Sequence, residues 1–425
     1  MKHHILSAIA LAAFFVTACD RATKETIENV EPVPASAPGI SNVRLERIET
    51  VLQEEVDQGI RAGFVAMVAK DGKVVYSTAV GMANREREIP MTEETRFLLG
   101  SMTKPIVTVA LLQLVEDGTV LLSDPVSKYI PAFADMRVAT TETSKPDGSV
   151  ETEPLVWPIT IYHLLTHTSG LAYVTANSNI GARLYAMGGD LEAHVAELTT
   201  IPLVRQPGEK FQYSPAIDVA GRIIEIVTGK PLEQYLKERV LGPLEMGNTE
   251  FFLDESDFKG LAVVYDADGE GKLKSAASES GLNAANTIPH GWMSAGGSLI
   301  STAPDYTRFC MMILNEGELD GKRILSPATV RFMLQRHVAI EDPYIRQKES
   351  DAFGVGGYVL EHPSQRGELT AIGEWGWSGY YDTSFFVSPG DELCAVEMAQ
   401  QIPDINTPIS RARNLVRSIT YGALE

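Results

Sequence analysis

The stretch FLLGSMTKPIVTVALLQLVEDG, from Phe97 to Gly118, constrains the fold most because it joins a Ser-x-x-Lys pair to a long apolar run. The run predicts a helix of about four turns that ends near Asp117-Gly118. Ser101 and Lys104 then share one helix face, so the amine can reach the hydroxyl. Positive charge at the helix N-terminus, together with burial, favours a neutral lysine amine that acts as a base. Ser101 is therefore a candidate nucleophile, and a plain N-cap is the alternative.

Other patterns that could compete with this pair are weak. A second Ser-x-x-Lys, Ser256 to Lys259, is acidic and is followed at once by Gly260, so no long helix can follow it. The Gly-x-Ser-x-Gly signature of α/β-hydrolases is absent, since GWSGY at 376–380 has its second glycine too early. His163 and His167 lack the glutamate of a zinc-binding H-E-x-x-H motif, which favours a structural role for both.

The N-terminal segment is typical of an export signal. A lysine and two histidines precede an apolar run, Ile5 to Val16, that is too short for a membrane span. Val16-Thr17-Ala18-Cys19 resembles a bacterial lipobox, which predicts a signal peptide over 1–18 and lipidation of Cys19; an ordinary signal peptide is the alternative. The polar, Pro- and Ala-rich residues 19–42 predict a flexible tether. We therefore expect an exported cell-envelope lipoprotein on the periplasmic side, bound to the membrane only through Cys19.

Charge and cysteine content limit the partners. The formal charge is −20, and loss of residues 1–18 removes only Lys2, which makes it −21. Such an acidic chain argues against nucleic acid and gains no attraction to anionic lipid headgroups. Beyond Cys19 only Cys310 and Cys394 remain, too few for a disulfide framework and without the spacing of a zinc site. Two buried free thiols are favoured over a single bridge.

The order of predicted elements indicates an α/β body interrupted by a mainly helical part. An amphipathic helix over Ser41–Gln58 precedes strands Phe64–Lys70 and Lys73–Val80, which an Asp71-Gly72 turn joins into a hairpin. Helical segments dominate the middle, and strands return in a hairpin around Pro389-Gly390-Asp391. The folded domain is thus predicted at 43–425, with its α/β part at about 43–100 and 256–425 and its helical part at about 101–255.

Seven blocks of the sequence resemble, in the same order, the serine β-lactamase-related superfamily, which includes class C β-lactamases, DD-peptidases and family VIII carboxylesterases. They are SMTKPIVTVALLQLVEDG, DPVSKYIPAF, ITIYHLLTHTSGL, PGEKFQYSPAIDVAGRIIEIVTGKPLEQYL, LGPLEMGNTEF, SAGGSLISTAPDYTRFCMMILNEG and WGWSGYYDTSFFVSP. The resemblance extends from about Val43 to Ala399. It implies an α+β fold, with an antiparallel sheet flanked by helices plus a mainly helical domain. It implies no metal or organic cofactor.

The resemblance also assigns roles to particular positions. Ser101 matches the acylated serine, Lys104 its lysine, and Tyr213 the tyrosine of the Tyr-x-Asn motif. Lys104 and Tyr213 would share the proton transfer, without a decision on which is the formal base. Pro215 replaces the asparagine and so lacks its side-chain hydrogen bond. The oxyanion hole maps to the backbone N–H groups of Ser101 and Tyr380.

The third motif points toward the substrate. Trp377-Ser378-Gly379 stands where class C β-lactamases have Lys-Thr-Gly, and Trp-x-Gly resembles the family VIII esterases. A lysine pairs with a substrate carboxylate, whereas an indole offers one neutral donor and an apolar face. We therefore expect a carboxylesterase for short neutral acyl esters. Trp375, Tyr380 and Tyr381 could complete an aromatic wall beside Trp377, and packing of Trp377 in the core is the alternative.

Two other functions remain open at this point. A β-lactamase or DD-peptidase-like enzyme would share the acylation chemistry and differ in its pocket. A non-hydrolytic envelope protein that binds peptidoglycan or β-lactams would suit the missing asparagine and the tether, although it would not need three reactive side chains. The partner of either enzyme is a small-molecule ester or lactam, and the sequence leaves the oligomeric state open.

Overall fold

A computed structural model describes residues 38–425, apart from 142, 146–147, 174–179, 181–189, 254–259, 268–271, 277–292, 341–350 and 403–410. The predicted signal peptide, Cys19 and most of the tether lie outside these residues, as does the second Ser-x-x-Lys pair. Residues Ala35–Glu425 form one compact unit. The division of that unit into an α/β part and a helical part stays a prediction.

The strands range in length from two to twelve residues. In chain order they are β1 (Gly63–Lys70), β2 (Lys73–Asn84), β3 (Ile89–Pro90), β4 (Phe97–Leu98), β5 (Arg137–Ala139), β6 (Thr152–Pro154), β7 (Tyr265–Ala267), β8 (Leu273–Ser275), β9 (Ile300–Ser301), β10 (Glu318–Leu319), β11 (Lys322–Arg323), β12 (Val338–Ala339), β13 (Asp351–Phe353), β14 (Tyr358–Leu360), β15 (Trp375–Ser378), β16 (Thr383–Ser388) and β17 (Leu393–Met398).

One antiparallel sheet dominates, and over the described part of the chain it has nine strands in the order β12-β13-β14-β15-β16-β17-β1-β2-β3. The N-terminal hairpin therefore pairs with the C-terminal strand, with Val65 opposite Met398. Two-stranded pairings β4-β9, β5-β6, β7-β8 and β10-β11 lie outside this sheet. The sheet confirms the predicted α+β class.

Local turn chemistry explains the β1–β2 hairpin. Asp71 and Gly72 have φ of 52° and 73°, and Lys70 pairs with Lys73. Two left-handed residues make a turn whose twist matches that of the strands, and Asp-Gly is a preferred pair for it. The predicted hairpin is confirmed. The hairpin between β16 and β17, across Pro389–Asp391, is confirmed as well.

The helices follow the predicted order with shifted ends. They are α1 (Asn42–Leu45), α2 (Arg47–Asp57), α3 (Thr103–Glu116), α4 (Ile161–Leu165), α5 (Leu191–Leu198), α6 (Ala216–Thr228), α7 (Leu232–Leu236), α8 (Ala303–Leu314), α9 (Pro327–Met333), α10 (Pro363–Arg366) and α11 (Arg411–Gly422). The predicted first helix is divided at Glu46, and α7 continues into a π-helical turn, Lys237–Leu241. Among the described residues no helix is long and apolar enough to cross a bilayer.

The central strands are buried on both faces. Val65 and Met67 of β1 join the main core, which holds α3, α6 and α8, while Phe64 and Ala66 face a second core under α2 and α11. A strand covered on both faces reads as a continuous apolar run, as GFVAMVA does.

The two remaining cysteines are free thiols in the main core, which confirms the favoured alternative. Cys310 lies on α8 and Cys394 on β17, and both are fully buried. Burial raises the pKa of the Cys310 thiol well above its ordinary value, and the neighbouring Cys394 adds to that effect. A thiol held in its protonated form is a poor nucleophile, so Cys310 is inert in the folded protein.

Candidate active site

Ser101 lies in a tight turn rather than at the head of the helix. A 3-10 turn, Gly100–Met102, connects β4 to α3, and Ser101 is half-buried within it. Gly100 has a φ of +54°, the left-handed conformation that a glycine adopts at little cost. The serine therefore precedes α3 by one turn, and the predicted N-cap alternative does not describe it: no side chain caps α3.

Lys104 projects from the first turn of α3 into a buried polar pocket. Its Nζ lies 3.2 Å from Ser101 Oγ and donates a hydrogen bond of 2.7 Å to the carbonyl oxygen of Gly296. The same nitrogen lies 4.8 Å from the centre of the Tyr213 ring. The side chain is only 4% exposed. The i,i+3 spacing thus brings amine and hydroxyl together as the sequence predicted.

Tyr213 is held by aromatic neighbours beside Lys104. Its ring centre lies 4.7 Å from that of His167, 5.6 Å from that of Tyr173 and 5.5 Å from that of Trp377. Trp377 Nε1 donates a long hydrogen bond, 3.4 Å, to the Tyr213 hydroxyl. The phenol is therefore fixed in place next to the Ser101–Lys104 pair.

Trp377 is packed in the core, which was one of the two alternatives, and its role toward a substrate stays a prediction. It is 5% exposed and packs edge-on against Phe353, with ring centres 5.3 Å apart. Its indole N–H nevertheless points to the hydroxyl of Tyr213. Trp375 is fully buried against Phe385, away from the predicted aromatic wall, whereas the side chain of Tyr380 is 54% exposed.

The turn after β15 packs directly on the turn before α3. A Cβ on Gly100 would lie 2.7 Å from the backbone nitrogen of Tyr380, and one on Gly379 would lie 2.0 Å from the carbonyl oxygen of Leu99. Thr383 Oγ1 donates to the same Leu99 carbonyl at 3.0 Å. Two glycines thus allow an approach that any side chain would prevent, and the backbone of Tyr380 comes to lie beside the Ser101 turn.

Two further residues that the sequence analysis named are Ser378 and Pro215. Ser378 ends β15, is half-buried and pairs with Ser384 of β16. Pro215 is buried and precedes α6, where it makes no side-chain cap. Its carbonyl accepts the N–H of Asp218 at 3.0 Å. The structure brings the predicted side chains Ser101, Lys104, Tyr213 and Trp377 together, and their roles stay predictions.

Three residues that sequence reasoning missed support Lys104. Asp218, on the first turn of α6 and 3% exposed, accepts a hydrogen bond of 2.8 Å from Ser294 Oγ and a longer one, 3.4 Å, from the N–H of Gly296. Gly296 in turn accepts from Lys104. Glycine at this position leaves room for the amine, since a Cβ would make a tight contact of 3.2 Å with Lys104 Nζ. Two signals in the sequence could have indicated these residues: a carboxylate in the apolar face of α6, and the SAGG run at 294–297.

The two histidines have structural contacts. Thr160, which caps α4, donates its backbone N–H to His163 Nδ1 at 3.2 Å and completes a capping box. His167 is buried and lies 3.3 Å from Ser214 Oγ. Burial, and then the charge of Lys104, hold the pKa of His167 well below its ordinary value, so the ring stays neutral at pH 7. The part of the chain that the structure describes contains no cluster of three acidic, histidine or cysteine side chains suited to a metal.

The site holds a half-buried hydroxyl, a buried amine and a phenol, with the backbone nitrogen of Tyr380 close to the Ser101 turn, and groups of these kinds are the parts that acyl transfer requires. Comparisons with known proteins agree with this geometry. The family described as Beta-lactamase matches residues 48–416. Esterase EstB of Burkholderia gladioli is 33% identical over 365 residues, which are 80% of this chain and 86% of that protein.

Two further relatives extend the comparison. Lovastatin esterase of Penicillium rubens is 29% identical over 386 residues, which are 84% of this chain and 92% of that protein. The solved structure of EstCE1, described as a hydrolase with promiscuous acyltransferase activity, has a TM-score of 0.75 at 29% identity. It covers 90% of this chain and 99% of its own.

Proposed function

Because the chain belongs to the beta-lactamase family and is a serine hydrolase, we propose that it hydrolyses short neutral carboxylic esters through an acyl-enzyme on Ser101. The observation that carries this proposal is the 3.2 Å contact between Ser101 Oγ and Lys104 Nζ, beside the phenol of Tyr213. The relatives with esterase names, EstB and lovastatin esterase, support the substrate class.

The reaction runs in two halves. Ser101 Oγ attacks the ester carbonyl, and its proton passes to the pair formed by Lys104 and Tyr213, which returns a proton to the leaving alcohol. Negative charge on the tetrahedral oxygen is stabilised by the backbone N–H groups of Ser101 and Tyr380. Water then repeats the sequence on the acyl-enzyme and releases the carboxylic acid.

The third motif supports a neutral substrate. At this position the protein has an indole, 5% exposed, whose N–H already points to Tyr213. A carboxylate on a β-lactam or a peptide C-terminus would gain no ion pair from such a group, whereas a neutral ester loses nothing. Ester and β-lactam substrates should therefore be discriminated by binding of the carboxylate, not by the acylation step.

A substrate panel tests the proposal. The purified full-length protein should turn over p-nitrophenyl butyrate steadily and leave nitrocefin and a D-Ala-D-Ala peptide unhydrolysed. Intact-mass measurement should show an acyl adduct that is absent from Ser101→Ala, and this variant should lose at least about a thousandfold in kcat. Turnover of nitrocefin or the peptide without ester hydrolysis would replace the esterase with a β-lactamase or peptidase. Full ester hydrolysis by Ser101→Ala would refute the mechanism.

A further inference from the structure

The turn between β15 and β16 is fixed by a backbone hydrogen bond of its own and by two more from the segment that follows β17. The N–H of Gly379 donates to the Thr383 carbonyl at 2.8 Å and closes the turn. The residues after β17 hold its far side, since Ala399 donates to the carbonyl of Asp382 at 3.2 Å and Gln401 to that of Tyr381 at 3.0 Å. This turn carries Tyr380, whose backbone nitrogen would lie 2.7 Å from a Cβ on Gly100 in the Ser101 turn.

Asp382 is the unusual residue of this turn. It has a φ of 64°, a left-handed conformation that costs a non-glycine residue about 1 kcal/mol or more. Its carboxylate, 9% exposed, accepts 2.8 Å from Arg61 Nε on one oxygen and 3.2 Å from Arg413 Nη2 on the other. Two charge-assisted hydrogen bonds are strong enough to hold such a conformation.

The two arginines come from distant parts of the chain. Arg61 lies between α2 and β1 and is 6% exposed, while Arg413 lies on α11. Arg413 Nη2 also donates to the Thr383 carbonyl at 3.3 Å, and Thr383 Oγ1 reaches the Leu99 carbonyl. The arginines that bind Asp382 form a clamp, and Thr383 links this clamp to the backbone that precedes Ser101.

We propose that Asp382 is a positioning residue for the oxyanion hole: Arg61 and Arg413 clamp its carboxylate, and the clamp holds the Tyr380 N–H beside Ser101. The inference rests on the proposed function, in which that N–H stabilises the tetrahedral oxygen. A positioning role predicts a loss in the transition state with little loss in substrate binding, because the ground-state carbonyl depends less on the hole.

Asp382→Asn tests the clamp, because asparagine tolerates a left-handed backbone as aspartate does, while it removes the charge and replaces one acceptor oxygen with an N–H donor. We expect kcat for p-nitrophenyl butyrate to fall about tenfold with KM within about twofold. The matched control is Glu368→Gln. Glu368 is also a partly buried carboxylate between two arginines, 3.0 Å from Arg417 Nη1 and 3.4 Å from Arg366 Nε, but it lies outside this turn. The kcat of Glu368→Gln should stay within about twofold of the wild-type value.

The outcomes separate this inference from the proposed function. If Asp382→Asn does not fold, Arg413→Gln takes its place, with Arg61 still paired, and a fall in kcat of about threefold is expected. Unchanged kcat in the folded variant, or equal losses in both carboxylate variants, would overturn the positioning role alone. A wild-type protein without ester turnover or a Ser101 adduct would overturn the proposed function, and this inference with it.

Discussion

At the scale of single residues, the hydroxyl of Tyr213 can be separated from its ring. Tyr213→Phe keeps the ring contacts with His167 and Trp377, whose ring centres lie 4.7 Å and 5.5 Å away, and removes the hydroxyl that we propose for proton transfer, together with its long hydrogen bond from Trp377 Nε1. We expect kcat/KM for p-nitrophenyl butyrate to fall about 10²- to 10⁴-fold while the thermal midpoint changes little. Steady-state kinetics and thermal unfolding check this.

Tyr162→Phe is the matched control for that variant. Its hydroxyl lies 3.1 Å from His337 Nδ1, outside the site, so its loss should leave the rate near that of the wild type. A Tyr213→Phe enzyme with wild-type activity would assign the whole proton transfer to Lys104.

The reactive residues could be predicted because their chemistry is local. Ser101 and Lys104 lie three positions apart before an apolar helix, and periodicity alone places them side by side. Asp218, Ser294 and Gly296 could not be predicted in this way, because their contacts join positions far apart in the chain and no spacing rule applies. The same is true of Arg61, Asp382 and Arg413.

At the scale of elements, the turn before α3 depends on a missing side chain. In Gly100→Ala, the new Cβ would meet the Tyr380 nitrogen at 2.7 Å and push the two turns apart. Gly118→Ala is the matched control: its φ of +72° imposes a similar strain, and nothing lies within 4 Å of its Cβ. Gly118→Ala should lose about 1 kcal/mol of stability from backbone strain, and Gly100→Ala should lose more because its Cβ also meets the backbone of Tyr380.

Only Gly100→Ala should lose activity as well, by about 10²-fold in kcat, because it displaces an oxyanion-hole donor. Urea unfolding and ester hydrolysis measured on both variants check this. Equal activity in the two variants would mean that the approach of Gly100 to Tyr380 has no catalytic importance.

Elements were predictable where local signals define them. Asp71-Gly72 specified a hairpin, and apolar periodicity specified α2, α3 and α6. The 3-10 turn at Ser101 could not be predicted, because the sequence does not distinguish a glycine with positive φ from one that only packs closely. Two-residue strands such as β4 and β9 carry too little pattern to be recognised.

At the scale of the whole molecule, the buried carboxyl of Glu397 makes stability depend on pH. Burial, and then the charge of Asp382, raise its pKa from 4.5 to about 8. A carboxyl whose pKa is raised on folding stabilises the protein fully below the unfolded pKa, and this contribution is lost as the pH rises toward about 8.

Glu397→Gln removes that dependence and preserves the neutral shape. Relative to the wild type, the variant should have similar stability at pH 5 and at least about 1 kcal/mol more at pH 9. Urea unfolding at both pH values checks this difference. Glu316→Gln, at an exposed ion pair with Arg331, is the control, and its difference from the wild type should be small at both. A pH-independent difference for Glu397→Gln would contradict the assignment.

The pairing of β1 with β17 sets the order in which the protein can be assembled. Val65 and Met398, which lie opposite each other, are separated by most of the chain, so the loop that this pairing closes is very long. A nascent chain that ends before β15 already contains Ser101, Lys104 and Tyr213 but lacks Tyr380 and the partner strand of β1. Folding that depends on such distant contacts is slow. Ser101 is therefore synthesised long before Tyr380, and the proposed oxyanion hole can form only after the last strands have been made.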